Sequence, residues 1–168
     1  MPTRSRINIP SPGFTLVELL VTLFVAAVLL GIAVPSFQHL VENNRVVSNT
    51  NAFQGVLQYA RSEASRRQEV VSLCPLNGGW SEGAYVVLGA SCDGWSGNDP
   101  DELRRVSLDE RLNVEADFPG RLTFLVNGQV NGAQGMRTIT ISSGIQSIDM
   151  RRISLLGSGA SRVERVED

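Results

Sequence analysis

Lysine is absent from the 168 residues, and all fifteen cationic side chains are arginine. Every basic group is therefore planar, permanently charged and able to grip a carboxylate or phosphate bidentately, although a GC-rich genome produces the same bias. Histidine occurs once, at His39, with no second ligand near it in sequence. No Ser-His-Asp set can form, no HExxH pair exists, and no Walker or Rossmann glycine pattern appears. These absences argue against an enzyme and against a bound cofactor. Cysteine occurs twice, as Cys74 and Cys92, without the CxxC spacing of a metal or redox site. A net charge of −2, with 42% hydrophobic and 19% charged residues, excludes a disordered chain and a globally basic nucleic-acid binder. Any DNA contact would come from a local patch.

What is present begins with a division of the first 34 residues. Met1 to Gly13 carries Arg4 and Arg6 and no acidic residue, and from Phe14 the sequence runs FTLVELLVTLFVAAVLLGIAV. A secretory signal would have a shorter apolar region and a small-residue cleavage site after it, and no such site follows here. The twenty-one residues from Phe14 to Val34 span roughly 30 Å as a helix, the thickness of a bilayer's hydrocarbon core. The segment is built to stay in a membrane. Its one ionisable group is Glu18, and a carboxylate in hydrocarbon needs a partner or a proton. Were the chain cut after Gly13, the new α-amino group of Phe14 would lie about one helical turn from Glu18, in the same molecule or in an offset neighbour.

The run Gly13-Phe14-Thr15-Leu16-Val17-Glu18, behind a short basic leader and ahead of an apolar stretch, resembles the class III signal of type IV prepilins and pseudopilins. That resemblance implies that a prepilin peptidase cuts after Gly13 and N-methylates Phe14, and that Glu18 pairs with a neighbour's N-terminus during assembly. Pro35 falls where the family places a helix-bending proline, and a proline inside a helix removes one backbone hydrogen bond.

Beyond the span, Phe37, Leu40, Val41, Val47, Val56, Leu57, Ala60 and Ala64 recur at helical spacings, while Glu42, Arg45, Gln54, Arg61, Glu63 and Arg67 mostly take other faces. The helix is predicted to continue to Arg67, with its apolar stripe docking the rest of the chain. After Glu69 the period becomes two, and strands are predicted at residues 70–74, 84–88, 106–108, 112–116, 122–126, 138–142 and 152–156. Asn127-Gly128 and Gly157-Ser158-Gly159 read as turns. The fold class is α+β: a long N-terminal helix, membrane-spanning in its first half, packed on an antiparallel β head. The expected divisions are a leader at 1–13, a transmembrane and assembly helix at 14–36, and an extracytoplasmic head at 37–168 that includes the amphipathic half of the helix.

The stretch Leu57 to Ala64, the run Val70-Val71-Ser72-Leu73-Cys74-Pro75, the segment Phe124 to Gly128 and the later Arg-Arg-Ile-Ser strand together resemble the GspH/FimT group of minor pilins and pseudopilins. The group implies a head of two antiparallel β layers against the C-terminal half of the helix. It also implies partners: other minor and major pilins, the prepilin peptidase, and the assembly platform of the inner membrane. The expected location is the inner membrane, single-pass with the head in the periplasm, and afterwards a pilus or pseudopilus fibre.

Cys74 and Cys92 enclose a loop whose closure contributes about 3 kcal/mol in the chain-entropy model, so a structural disulfide is predicted. Asp93, Asn98, Asp99, Asp101 and Glu102 form an acidic loop without EF-hand spacing, a weak Ca²⁺ candidate whose simpler reading is a solvated loop. Two functional classes follow. One is a structural minor pilin that primes pilus assembly and rides near the fibre tip, or equivalently a minor pseudopilin of a type II secretion system. The other is a tip subunit that contacts double-stranded DNA in DNA uptake, since some FimT-like proteins are DNA receptors with a C-terminal Gly-Arg-x-Arg-type motif. Its residues here would be Arg151 and Arg152 on a strand and Arg162 and Arg165 in the tail, interleaved with Asp149, Glu164, Glu167 and Asp168. The run Ser161-Arg162-Val163-Glu164-Arg165 departs from that motif.

Overall fold

The computed structural model describes residues 13–92, 101–118, 120–132, 135–145 and 147–166. The chain divides into two units, Met1–Gln38 and His39–Asp168. A 52-residue helix, α1 (Leu16–Arg67), supplies the described secondary structure of the first and the start of the second. In the first unit every described residue is exposed, from Gly13 to Gln38, apolar side chains included. A helix that is hydrophobic all round belongs in a membrane or in the core of a larger body.

The second unit is built on the α1 residues that recur every three or four positions: Val46, Thr50, Phe53, Val56, Leu57, Ala60, Glu63 and Ala64 are buried. Leu40 and Val41, counted in the predicted stripe, are exposed, as is Phe37 of the first unit, and Val47 is only half-buried beside the fully buried Val46. The real seam is thus rotated by about one residue from the predicted one at its N-terminal end. Thr50 is admitted to it because its hydroxyl donates to the Val46 carbonyl at 2.7 Å, which removes the cost of an unpaired buried group. The helix stops where Gln68 turns to φ 58°. Its side-chain amide caps the Ser65 carbonyl at 2.7 Å, and Arg66 and Arg67 face the negative end of the helix dipole.

Eight strands follow: β1 (Val71–Leu76), β2 (Gly79–Leu88), β3 (Glu102–Ser107), β4 (Leu112–Ala116), β5 (Leu122–Phe124), β6 (Arg137–Ser143), β7 (Met150–Leu155) and β8 (Ser161–Val166). They form two antiparallel sheets, ordered β3-β2-β1-β5 and β4-β6-β7-β8. Val71, Leu73, Ala84 and Val86 of the first and Leu112, Val114, Ile139, Ile141, Ile153 and Leu155 of the second join one core with the helix stripe. Alternation sends Cys74, Leu76, Tyr85 and Val87 to the opposite face of the first sheet, where they form a second buried cluster. Cys92 covers it: the Cys74–Cys92 disulfide is formed across 5.8 Å between Cα atoms, and the Tyr85 hydroxyl donates to the Cys92 carbonyl at 3.3 Å.

β3 begins at Glu102 where residue 106 was expected and β5 ends at Phe124 where residue 126 was expected, and the larger differences concern β2 and β8. Asn77 and Gly78 both have positive φ, 46° and 83°, so β1 and β2 form a tight hairpin and β2 begins at Gly79. The C-terminal residues expected as a tail are β8, paired with β7 from Met150↔Val166 to Leu155↔Ser161.

The two predicted turns meet against α1. A Cβ at Gly159 (φ 80°) would lie 2.0 Å from the Gly128 carbonyl oxygen and 3.0 Å from Arg61 Nε. Gly159→Ala therefore combines backbone strain with a backbone clash, and about 2–4 kcal/mol of stability should be lost. Gly78→Ala, with a comparable φ and open space around it, should lose only about 1 kcal/mol. Urea denaturation of both variants checks this, and equal losses would refute the packing role assigned to Gly159.

Candidate functional site

The residues around the predicted cut form a helix start. Thr15 is the cap: its hydroxyl accepts the Glu18 backbone N–H at 3.2 Å, and its carbonyl accepts the Leu19 N–H at 3.1 Å. Thr15-Leu16-Val17-Glu18 has the T-x-x-E order of a capping box, which sets a carboxylate in the first turn beside the positive end of the helix dipole. Phe14 and Leu16 are each 74% exposed, so the aromatic ring and its apolar neighbours are available to a membrane or to other subunits. Gly13 and Phe14 precede the helix in non-helical backbone. The remainder of the leader lies outside the described residues.

The arginines proposed to contact DNA do not form one patch. Pairing aligns Arg151 with Arg165 and Arg152 with Glu164. Alternation then places Arg151 and Arg165 on the face shared with Ile153, Leu155 and Val163, toward the core, and Arg152 and Arg162 on the other face. Arg165 is ion-paired to Asp149, and Arg162 reaches Glu164 at 3.3 Å. The Nε of Arg151 is buried with no hydrogen-bond partner. Arg152 carries no ion pair among the described residues. Glu167 and Asp168 lie outside the described residues, as do Asp93, Asn98 and Asp99 of the Ca²⁺ candidate. Asp101 and Glu102 of that candidate are described, and no cluster of three metal-binding groups occurs among the described residues.

Sequence reasoning missed Glu63, assigned there to a polar face. The residue is 5% exposed, and its carboxylate accepts from Arg66 at 2.6 and 2.8 Å and from Arg67 at 2.6 Å. The signal was available in its i, i+3 and i, i+4 spacing to two arginines. Those hydrogen bonds, from Arg66 first and then Arg67, hold the Glu63 pKa below the ordinary 4.5. A second polar set joins α1 to the β3–β4 loop: Arg45 pairs with Glu42 and, at 2.8 Å, with Asp109, while the Asp109 N–H donates to Asn49 at 3.1 Å. The Arg111 backbone N–H on its carboxylate lowers the Asp109 pKa, with the charges of Arg111 and Arg45 assisting.

Residues 49–159, more than half of the chain, match the family model for type II transport protein GspH. The chain belongs to the GspH family. Its residues 11–34 match the prokaryotic N-terminal methylation motif, so this GspH-family chain is pilin-like at both ends of its long helix. Its fold is similar to that of the type IV minor pilin FimU of Pseudomonas aeruginosa, with 26% identity, a TM-score of 0.58, and coverage of 73% of this chain and 90% of FimU. It is similar in fold to the minor pseudopilin EpsH from the type 2 secretion system of Vibrio cholerae, with 17% identity, a TM-score of 0.52, and coverage of 72% of this chain and 96% of EpsH. No curated protein sequence matches it significantly. The GspH-family head thus belongs to the minor pilin and pseudopilin class.

Because the folded pKa values of Glu63 and Asp109 are depressed, each carboxylate contributes stability that is complete above its ordinary value and is lost as pH falls through its folded value. Urea midpoints measured between about pH 6 and about pH 3 should decline, and Glu63→Gln should make that decline shallower. An unchanged slope in the variant would remove Glu63 from the account.

Proposed function

We propose that this chain is a FimU-like minor pilin of a type IV pilus that helps to prime fibre assembly and is incorporated near the tip. In this reading it is made as a precursor, cut between Gly13 and Phe14 and N-methylated on Phe14. It then waits in the inner membrane with residues 39–168 in the periplasm. The observation that carries the proposal is the exposed apolar helix with one carboxylate, Glu18, in its first turn behind a methylation motif. Such a surface is stable in a bilayer or among like helices. In the fibre Glu18 would meet the methylated N-terminus of a neighbouring subunit, since an unpaired carboxylate there is costly.

FimU supports the pilus over the secretion machine, because its 26% identity extends over 90% of its own chain. The family description supports the second reading, a GspH-type minor pseudopilin of a type II secretion system. The partners are the same in kind: other pilins or pseudopilins, the prepilin peptidase and the inner-membrane assembly platform. A contribution to DNA uptake would rest on the outer face of the β4-β6-β7-β8 sheet, where Arg152 is free of ion pairs among the described residues. Glu164 directly opposite opposes phosphate binding there.

Glu18→Ala should leave processing intact and sharply reduce surface pili when expressed in a strain lacking its own copy, whereas Gly13→Leu should leave the leader attached. N-terminal sequencing and sheared-pilus yield read the two effects. Full piliation by Glu18→Ala would overturn the ion-pair role, and restoration of protein secretion without pili would favour the pseudopilin.

A further inference from the structure

A cavity of about 300 Å³ opens in the His39–Asp168 unit where Arg121 and Arg137 line the same space. Thr123, Asn131, Phe118 and Val130 also line it. Among the described residues no carboxylate lines it. Among the described residues, seven arginines are ion-paired: Arg45, Arg66, Arg67, Arg105, Arg111, Arg162 and Arg165. Arg121 and Arg137 have no such partner among the described residues.

The wall is held by the core. Arg137 lies over the Phe118 ring at 6.0 Å, Phe118 meets Trp80 edge-on at 5.4 Å, and Trp80 meets Phe53 of α1 at 5.9 Å. Thr123 is 7% exposed, its hydroxyl donates to Ser72 at 3.1 Å because the Ser72 hydroxyl donates to the Gly89 carbonyl at 2.8 Å, and its carbonyl accepts the Asn131 N–H at 2.8 Å. Two arginines lining one recess bring like charges together, and an oxyanion between like charges reverses the sign of their interaction.

We propose that this recess binds a small organic anion, a carboxylate or phosphate carried on a flat apolar group. Arg121 and Arg137 take the oxyanion, the Asn131 side-chain amide orients it, and the apolar group lies against Phe118 and Val130. A small molecule fits better than a nucleic-acid backbone: the volume is at the lower end of small-ligand pockets, whereas duplex phosphates are read along an extended surface. The proposal is independent of which fibre the subunit joins.

The test is calorimetric titration of the full chain in nonionic detergent micelles with phenylphosphate, inorganic phosphate and a short DNA duplex. Phenylphosphate should bind saturably and more tightly than inorganic phosphate. Arg121→Gln and Arg137→Gln should each weaken it by about tenfold or more. Arg104→Gln, which removes a cation stacked on Tyr59 instead, should leave it unchanged. Arg121 is exposed, so its variant keeps the test decisive even if loss of Arg137 from Phe118 disturbs folding, which circular dichroism monitors. Absence of phenylphosphate binding, or equal affinity in the Arg121 variant, overturns the proposal. Arginine-dependent binding of the duplex alone overturns it in favour of a nucleic-acid contact.

Discussion

Burial of one seam of α1 between Val46 and Ala64 is the interaction on which the rest of the head depends. Phe53, Val56, Leu57 and Ala60 of that seam are at most 1% exposed, and each large apolar side chain removed from water contributes about 1.5–3 kcal/mol. Neither four-stranded sheet could bury its inner face alone. The helix gives both sheets a common apolar surface, and the register of the inner strands β1, β2, β6 and β7 follows from keeping an apolar set on that side.

Polar groups then fix where the seam begins and ends. At one end Glu42, Arg45, Asn49 and Asp109 join helix to loop, with Glu42 also accepting from the Ser143 hydroxyl at 2.9 Å. At the other, Glu63 is forked between Arg66 and Arg67, and the Gly128 and Gly159 turns close over Arg61. The contacts of Arg45 and Asn49 with Asp109 and of Glu42 with Ser143 are directional where apolar contact is not, so they specify one axial position of helix against sheets. The disulfide acts on the remote face of the first sheet and secures its second apolar cluster.

The same helix has opposite chemistry in the other unit, where apolar residues from Phe14 to Val34 stand exposed and Glu18 is the one charge. A head stabilised by its own core leaves that segment free to be solvated first by lipid and then by other subunits. This division explains how a protein of the GspH family can be folded before assembly and still present an unsatisfied surface that assembly satisfies.

Much of this was legible in linear order. The apolar run with Glu18, the change from helical to alternating period after Glu69, and the turns at Gly128 and Gly159 are local signals, because each depends on residues a few positions apart. The early start of β2 was also legible, from Asn77-Gly78, which sequence reading passed over. β8 was not: Ser161-Arg162-Val163-Glu164-Arg165-Val166 is a polar edge strand, and only pairing with β7 makes it one. The same pairing decided that Arg151 and Arg165 face away from Arg152 and Arg162, since adjacent residues of a strand point to opposite sides. Tertiary structure alone brought Arg121, just before β5, and Arg137, at the start of β6 and sixteen positions on, to one cavity. Sequence determines which residues alternate and which recur, whereas proximity between elements arises only when the helix seam and the sheets close on each other.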